Sequence, residues 1–156
     1  LVYASPSHAR RRTGPGLGGF STAVTDNATF TYVTTVGDLG KHGEGYAHML
    51  LLDVAITSKL NYVIQSDFED VQEPNGDTDN DVAITQYLFY DVNESSAVGA
   101  RFEWSNDDGE SQFQTTLGVN VRPTENVVIR PEVRFQPDNT GDYDKTVFGV
   151  DAILVF

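Results

Sequence analysis

The chain contains no cysteine, one methionine and one tryptophan in 156 residues. Without cysteine there is no disulfide framework and no thiolate metal site. Long apolar runs are missing too. The longest aliphatic stretch, Met49-Leu50-Leu51-Leu52, is closed at once by Asp53, whereas a membrane-spanning helix needs about 20 apolar residues. Basic residues are scarce: ten Lys and Arg stand against 23 Asp and Glu, a formal net charge of −13. Gripping phosphates takes a basic face, so this composition argues against nucleic acid as a partner. Leu1 is not an initiator methionine and no charged-then-apolar leader precedes it, which reads as a processed or trimmed product. Hydrophobic residues still make up 39% of the chain, too many for a disordered one of this charge. The length suits a single domain.

Residues 1–19 differ from the rest. His8, Arg10, Arg11 and Arg12 form a short basic run, followed by Gly14-Pro15-Gly16-Leu17-Gly18-Gly19. Gly-Pro-Gly and Gly-Gly exclude a helix and suggest an irregular lead-in. A phosphate-binding glycine loop would need a strand before it and a helix after it, and the pattern offers neither.

Over residues 20–156 the hydrophobic period is two, not 3.6. Val98, Ala100, Phe102 and Trp104 share one face and Gly99, Arg101, Glu103 and Ser105 the other. Phe113, Thr115, Leu117, Val119 and Val121 oppose Gln112, Gln114, Thr116, Gly118, Asn120 and Arg122. Ile129, Pro131, Val133 and Phe135 oppose Arg130, Glu132, Arg134 and Gln136. Thr146, Phe148, Val150, Ala152, Leu154 and Phe156 form the last such face. Weaker alternation covers Phe20–Thr25, Ala28–Val36, Tyr46–Thr57 and Val82–Val92, and Leu60, Tyr62, Ile64 and Phe68 oppose Asn61, Gln65 and Asp67. This predicts about nine strands and no helix.

Short connections (Thr25–Asn27, Thr57–Lys59, Asn93–Ser95, Pro123–Asn126) alternate with longer polar stretches at Gly37–Gly45, Glu69–Asp81, Asn106–Glu110 and Pro137–Asp142. An antiparallel meander with short turns at one end and long loops at the other produces this, as transmembrane barrels do. Aromatic residues on the apolar faces fall into two groups. Tyr46, Phe68, Trp104, Phe113, Phe135 and Phe148 lie near the long loops; Phe30, Tyr32, Tyr62, Tyr90 and Phe156 lie near the short turns. Two such girdles flanking an aliphatic band suit anchorage in outer-membrane lipid. A soluble sandwich would gather its aromatics mid-strand instead.

The strings Lys59-Leu-Asn-Tyr-Val-Ile-Gln-Ser-Asp67, Gln86-Tyr-Leu-Phe-Tyr90, Gly99-Ala-Arg-Phe-Glu-Trp104, Arg130-Pro-Glu-Val-Arg134 and Phe148-Gly-Val-Asp-Ala152 resemble a family of bacterial outer-membrane β-barrel porins. The resemblance covers about Phe20 to Phe156. It implies a channel for small solutes in the outer membrane, with a C-terminal aromatic, here Phe156, read by the barrel-assembly machinery. Members of that family look about twice this length, so the chain resembles their C-terminal half. Nine strands is an odd number where bacterial single-chain barrels have even counts. Strands upstream are the favoured explanation; a poor tenth strand within residues 1–12, or an oligomer of several chains completing one barrel, are the alternatives.

Charges facing hydrocarbon cost about 2–4 kcal/mol near the midplane, so Arg101, Glu103, Arg122, Arg130, Glu132, Arg134 and Asp151 should point into the lumen. Asp53 and Asp67 should join them from earlier strands. Rows of opposite sign then line a pore, or else fill a narrow closed barrel as a salt-bridged plug. The acidic spacing Asp77, Asp79, Asp81 resembles the opening of a calcium loop, but Val82 stands where its glycine should be and Leu88 where its glutamate should be. An EF-hand is excluded, and a loose divalent-ion site competes with a solvated acidic loop. Catalysis has little support: no His-x-x-x-His and no Gly-x-Ser-x-Gly occur, and the only outer-face Ser/His pairing is Ser66 with His48. Asn27-Ala-Thr29 and Asn93-Glu-Ser95 match the glycosylation pattern but fall in turns, where asparagine has its own chemistry.

The reading is an all-β, antiparallel up-and-down transmembrane barrel, or the C-terminal part of one. Its expected function is passive diffusion of small hydrophilic solutes, with no cofactor and no reaction. A closed barrel serving as anchor or assembly partner, and a soluble β-sandwich binding module, are the alternatives.

Overall fold

The computed structural model describes residues 14–39, 43–72, 76–137 and 145–154. They form one sheet of nine antiparallel strands: β1 (Gly16–Thr25), β2 (Ala28–Asp38), β3 (Glu44–Ala55), β4 (Leu60–Gln72), β5 (Thr78–Asn93), β6 (Ser96–Asp107), β7 (Glu110–Thr124), β8 (Val127–Gln136) and β9 (Lys145–Leu154). Their order across the sheet is their order in the chain. A single meander sheet rules out the two-layered sandwich alternative, which needs two sheets and Greek-key crossovers. β1 pairs only with β2 and β9 only with β8, so the sheet is not closed among the described residues.

The first strand begins at Gly16 rather than at Phe20. Gly16–Gly19 pair with Val36–Val33 of β2, so part of the expected lead-in belongs to the sheet. Glycine suits this place because the strands come unusually close: a Cβ on Gly19 would lie 2.5 Å from the Tyr32 carbonyl oxygen. At Gly19 glycine is thus a steric requirement of pairing.

The turns carry the expected polar chemistry. Thr57 Oγ1 accepts from the backbone N–H groups of Lys59 and Leu60 (3.2 and 3.0 Å). Asn93 Oδ1 accepts from Ser95 N–H at 2.9 Å. Asn27 donates from Nδ2 to the Ala55 carbonyl at 3.0 Å, tying the first turn to the end of β3. Both asparagines of the glycosylation-like triplets are thus engaged in turns. One connection differs from expectation. Asn106–Glu110 is not a long loop: β6 and β7 continue to a two-residue turn, Asp108-Gly109, with φ of 45° and 90°. Asp-Gly favours this hairpin because both positions need positive φ, and Asn106 Oδ1 accepts from Gly109 N–H at 3.2 Å. The alternation of short turns and long loops is broken there.

Register settles the faces. Phe102 lies opposite Gln86 and Thr115, and Arg101 opposite Tyr87 and Thr116. The two faces then invert the order of a soluble protein. The buried residues, Val71, Thr85, Ala97 and Thr116, are all on the mainly polar face, with Thr85 and Thr116 only 5% and 6% exposed. On the other face Phe102, Leu117, Phe135, Phe148 and Leu154 are exposed, Phe148 to 81%. The side that holds the buried residues is the inner one.

Candidate pore-lining face

The inner face divides into two parts. In β6–β9 the charges are held by neighbours on the same strand and on the adjacent one. Arg101 donates from Nη2 to Thr116 Oγ1 at 3.2 Å, and its Nε lies 3.9 Å from Glu103 Oε2. Gln114 reaches the other Glu103 oxygen at 3.5 Å. Arg134 Nη2 is 3.5 Å from Glu132 Oε1 on the same strand. Arg130 and Asp151, directly opposite on β8 and β9, form a two-pronged pair through Nε (2.8 Å) and Nη2. This fork matches guanidinium to carboxylate geometry. Pro131 lacks an N–H, and the β7–β8 ladder skips from Gly118↔Glu132 to Val121↔Ile129 around it. A groove of about 330 Å³ lies beside that gap, lined by Arg101, Asn120, Arg130, Glu132, Asp151 and the rings of Tyr87 and Phe89.

The second part lies on β2–β7 toward the loop end, around a concavity of about 500 Å³. Asp67, Glu69, Asp81 and Asp107 line it, and no Lys or Arg does. Asp67 accepts from Gln65 Nε2 with both oxygens, at 3.0 and 2.8 Å. Oxygens of Asp79, Asp81 and Asp107 all lie within 4.8 Å of one another. The acidic cluster therefore draws on β6 and leaves Asp77 out, unlike the run expected from spacing. A crossing strand needs about 9–11 residues, and β5 has 16. The alternating stretch 82–90 suffices, which leaves Asp79 and Asp81 in the extension beyond it. Burial, then the charges of Asp107 and Asp79, a hydrogen bond with Asp107 and the charge of Glu69 push the Asp81 pKa up to about 6.

Seven of the nine residues expected to line a lumen, Asp67, Arg101, Glu103, Arg130, Glu132, Arg134 and Asp151, fall into these two groups. Asp53 shares the inner face but stands apart, opposite Thr29 and Val63. Arg122 sits in a bulge between Val121 and Thr124, exposed, outside both groups. Sequence reasoning missed Tyr87 and Phe89, the inner-face rings, and Glu69 and Asp107, the partners of the acidic part. The only signal for the rings was parity: Ile84, Leu88 and Tyr90 face out, so Tyr87 and Phe89 face in.

The expected interface aromatics share the outer face, but in β1–β4 they do not form two separate rings. Phe20, Phe30, Tyr32, His48, Tyr46 and Phe68 make a continuous chain, with His48 stacked on Phe68 at 5.3 Å and 6.2 Å from Tyr32. Tyr62 donates its hydroxyl to Gln86 Oε1 at 2.7 Å, at the centre of the β5 outer face. Trp104 donates to Ser111 at 3.3 Å near the β6–β7 hairpin. Phe102 and Phe113 are 6.2 Å apart; Tyr90, Phe135 and Phe148 are exposed. Phe156 lies outside the described residues. Ser66 and His48 share the outer face, and among the described residues neither is hydrogen-bonded to the other.

A meander of β-strands with apolar residues outside and ion-paired residues inside defines a porin-like barrel wall. The chain belongs to the family described as Putative beta-barrel porin-2, OmpL-like, whose sequence model matches residues 9–156. That match starts upstream of Phe20, so the resemblance extends further into the N-terminal segment than the strings alone indicated. No curated protein and no solved structure matches the chain.

Proposed function

We propose that this chain forms the wall of a channel in a bacterial outer membrane, through which small hydrophilic solutes diffuse passively, without a reaction or a cofactor. One observation carries the reading: large apolar side chains are exposed on one face while threonines are buried on the other. Water on the outer face would penalise that arrangement, and hydrocarbon would favour it. Ion-paired charges and carboxylates on the inner face suit a lumen that holds water. Closure requires partners for the β1 and β9 edges, either further strands or further copies of the chain. Outer-membrane lipid and the barrel-assembly machinery are the partners this reading implies.

The test is fractionation of the full-length protein, gel mobility with and without boiling in SDS, and conductance in planar bilayers. Extraction only by detergent, faster migration before boiling and stepwise conductance are expected. A protein soluble without detergent and lacking a heat-modifiable band would overturn the reading. A heat-modifiable barrel that conducts nothing would favour the anchor, with the charged rows as a plug.

A further inference from the structure

Two aromatic rings stand on the inner face beside its paired charges. Tyr87 and Phe89, two residues apart on β5, stack with centroids 5.9 Å apart and planes 14° apart. Phe89 is explained in part by Gly99 opposite it, whose absent Cβ would lie 3.1 Å from the Phe89 ring. Such a ring shields a bare glycine backbone. Tyr87 has no such duty: it lies between Val63 and Arg101. Both rings border the groove of about 330 Å³ beside the Pro131 gap.

The polar side of that groove is charge-neutral pair by pair. Arg130 is matched by Asp151, Arg101 by Glu103 and Glu132 by Arg134. A groove with no surplus charge has no preference for an ion. Yet it offers donors (Arg101, Arg130, the Asn120 amide) interleaved with acceptors (Glu132, Asp151). Ligand groups that both donate and accept, on a flat and partly apolar frame, match this set: hydroxyls on a sugar ring. The rings supply apolar faces for the C–H side of that frame.

We propose that the groove between Tyr87, Phe89, Arg101 and Arg130 is a binding subsite for neutral saccharides on the channel wall. The proposal rests on the channel reading and names a solute class for it. The subsite makes the channel selective for sugars over other solutes of equal size.

The test uses the full-length protein in planar bilayers, with maltohexaose as probe and polyethylene glycol of the same hydrodynamic size as comparison. Maltohexaose should interrupt single-channel current at concentrations about tenfold lower than the polymer, and Tyr87→Ala should raise its half-blocking concentration about tenfold. Phe89→Leu keeps Gly99 covered while removing a flat face, so it should give a smaller loss without disturbing the strand. Heat-modifiable mobility checks that each variant folds. Equal block by sugar and polymer, or a folded Tyr87→Ala channel blocked as well as the parent, overturns the saccharide subsite alone. No channel with any solute overturns the channel reading and the subsite together.

Discussion

The two parts of the inner face share one alternation and differ in what stands beside each charge. On β6–β9 three arginines meet carboxylates: Arg130 faces Asp151, Arg101 neighbours Glu103, Arg134 neighbours Glu132. Toward the loop end of β2–β7, Asp67, Glu69, Asp81 and Asp107 surround one concavity with no cation on its lining. Burial first, and then the neighbouring carboxylates, push the Asp81 pKa up to about 6. Alternation decides only whether a side chain points in. Whether its charge is neutralised there depends on its neighbours, two residues along the strand for Arg101 and Arg134 and across it for Arg130. In a channel, carboxylates alone would draw cations, while the paired rows would offer dipoles and hydrogen-bonding groups without net charge.

The largest expected effect tests inward against outward at adjacent positions of β6. Phe102→Glu puts a carboxylate where Phe102 is exposed on the apolar face. Adding the lost apolar transfer to the cost of the charge gives on the order of 2 kcal/mol or more, and folded barrel should be lost. Glu103→Gln keeps its inward direction and its reach to Gln114, so it should assemble and change only conductance. Heat-modifiable mobility of both variants checks the assignment. Reversed outcomes would break it.

The arginine-bearing part was legible in the sequence and the acidic part only partly, for a physical reason. Strands β6–β8 alternate cleanly, so Arg101, Glu103, Arg130, Glu132 and Arg134 declared their direction. In β5 the run Tyr87-Leu88-Phe89-Tyr90 is apolar on both faces, and periodicity could not mark the inner rings. The cluster of Asp79, Asp81 and Asp107 spans two strands, and a pairing register is not visible in the spacing of one. Asp77, next in the acidic run, precedes the strand and falls outside the cluster. Gly16–Gly19 looked like a breaker because its pairing with β2, and the close approach that makes glycine necessary at Gly19, are tertiary facts. Asp108-Gly109 did carry a hairpin signal, outweighed by the polar residues around it.

Steric tolerance sharpens the comparison next. A Cβ on Gly45, in the acidic half, would lie 2.1 Å from the Asp70 carbonyl oxygen and 2.7 Å from Val71 Cα, both backbone. Gly118, among the paired rows, has its nearest neighbour at 3.4 Å. Gly45→Ala should therefore destabilise by about 1–3 kcal/mol, and Gly118→Ala by much less. Urea midpoints in detergent measure both, and equal losses would mean that β3 and β4 do not approach as described.

Titration separates the two parts more gently. The raised Asp81 pKa means that the folded protein holds a proton that the unfolded chain releases near its ordinary value of 3.8. Its contribution to stability is fully present below that value and is lost as pH rises through about 6. Cation preference should follow the opposite course, weakening as pH falls through about 6 and the acidic entrance gains a proton. Asp107→Asn removes a neighbouring charge, so the transition should move to lower pH. Reversal potentials in a salt gradient from pH 7.5 to 5 record it, and Asp81→Asn should flatten the curve between those limits. A transition unmoved by Asp107→Asn would place the titrating group elsewhere.

The smallest effect on stability is expected at the pair with the best geometry. Arg130 and Asp151 make a two-pronged contact, yet their side chains are 45% and 53% exposed. Water screens such a pair and side-chain entropy opposes it, so good geometry does not translate into folding energy. Asp151→Asn should leave the urea midpoint nearly where it was. The change lies in the field: the Arg130 charge is no longer matched across the strand, and the paired half of the wall gains a net positive charge. Selectivity should move toward anions, and Arg130→Gln should move it toward cations. A large fall in the midpoint with no change in reversal potential would show that the pair holds β8 to β9 and that its charge does not face the solute path.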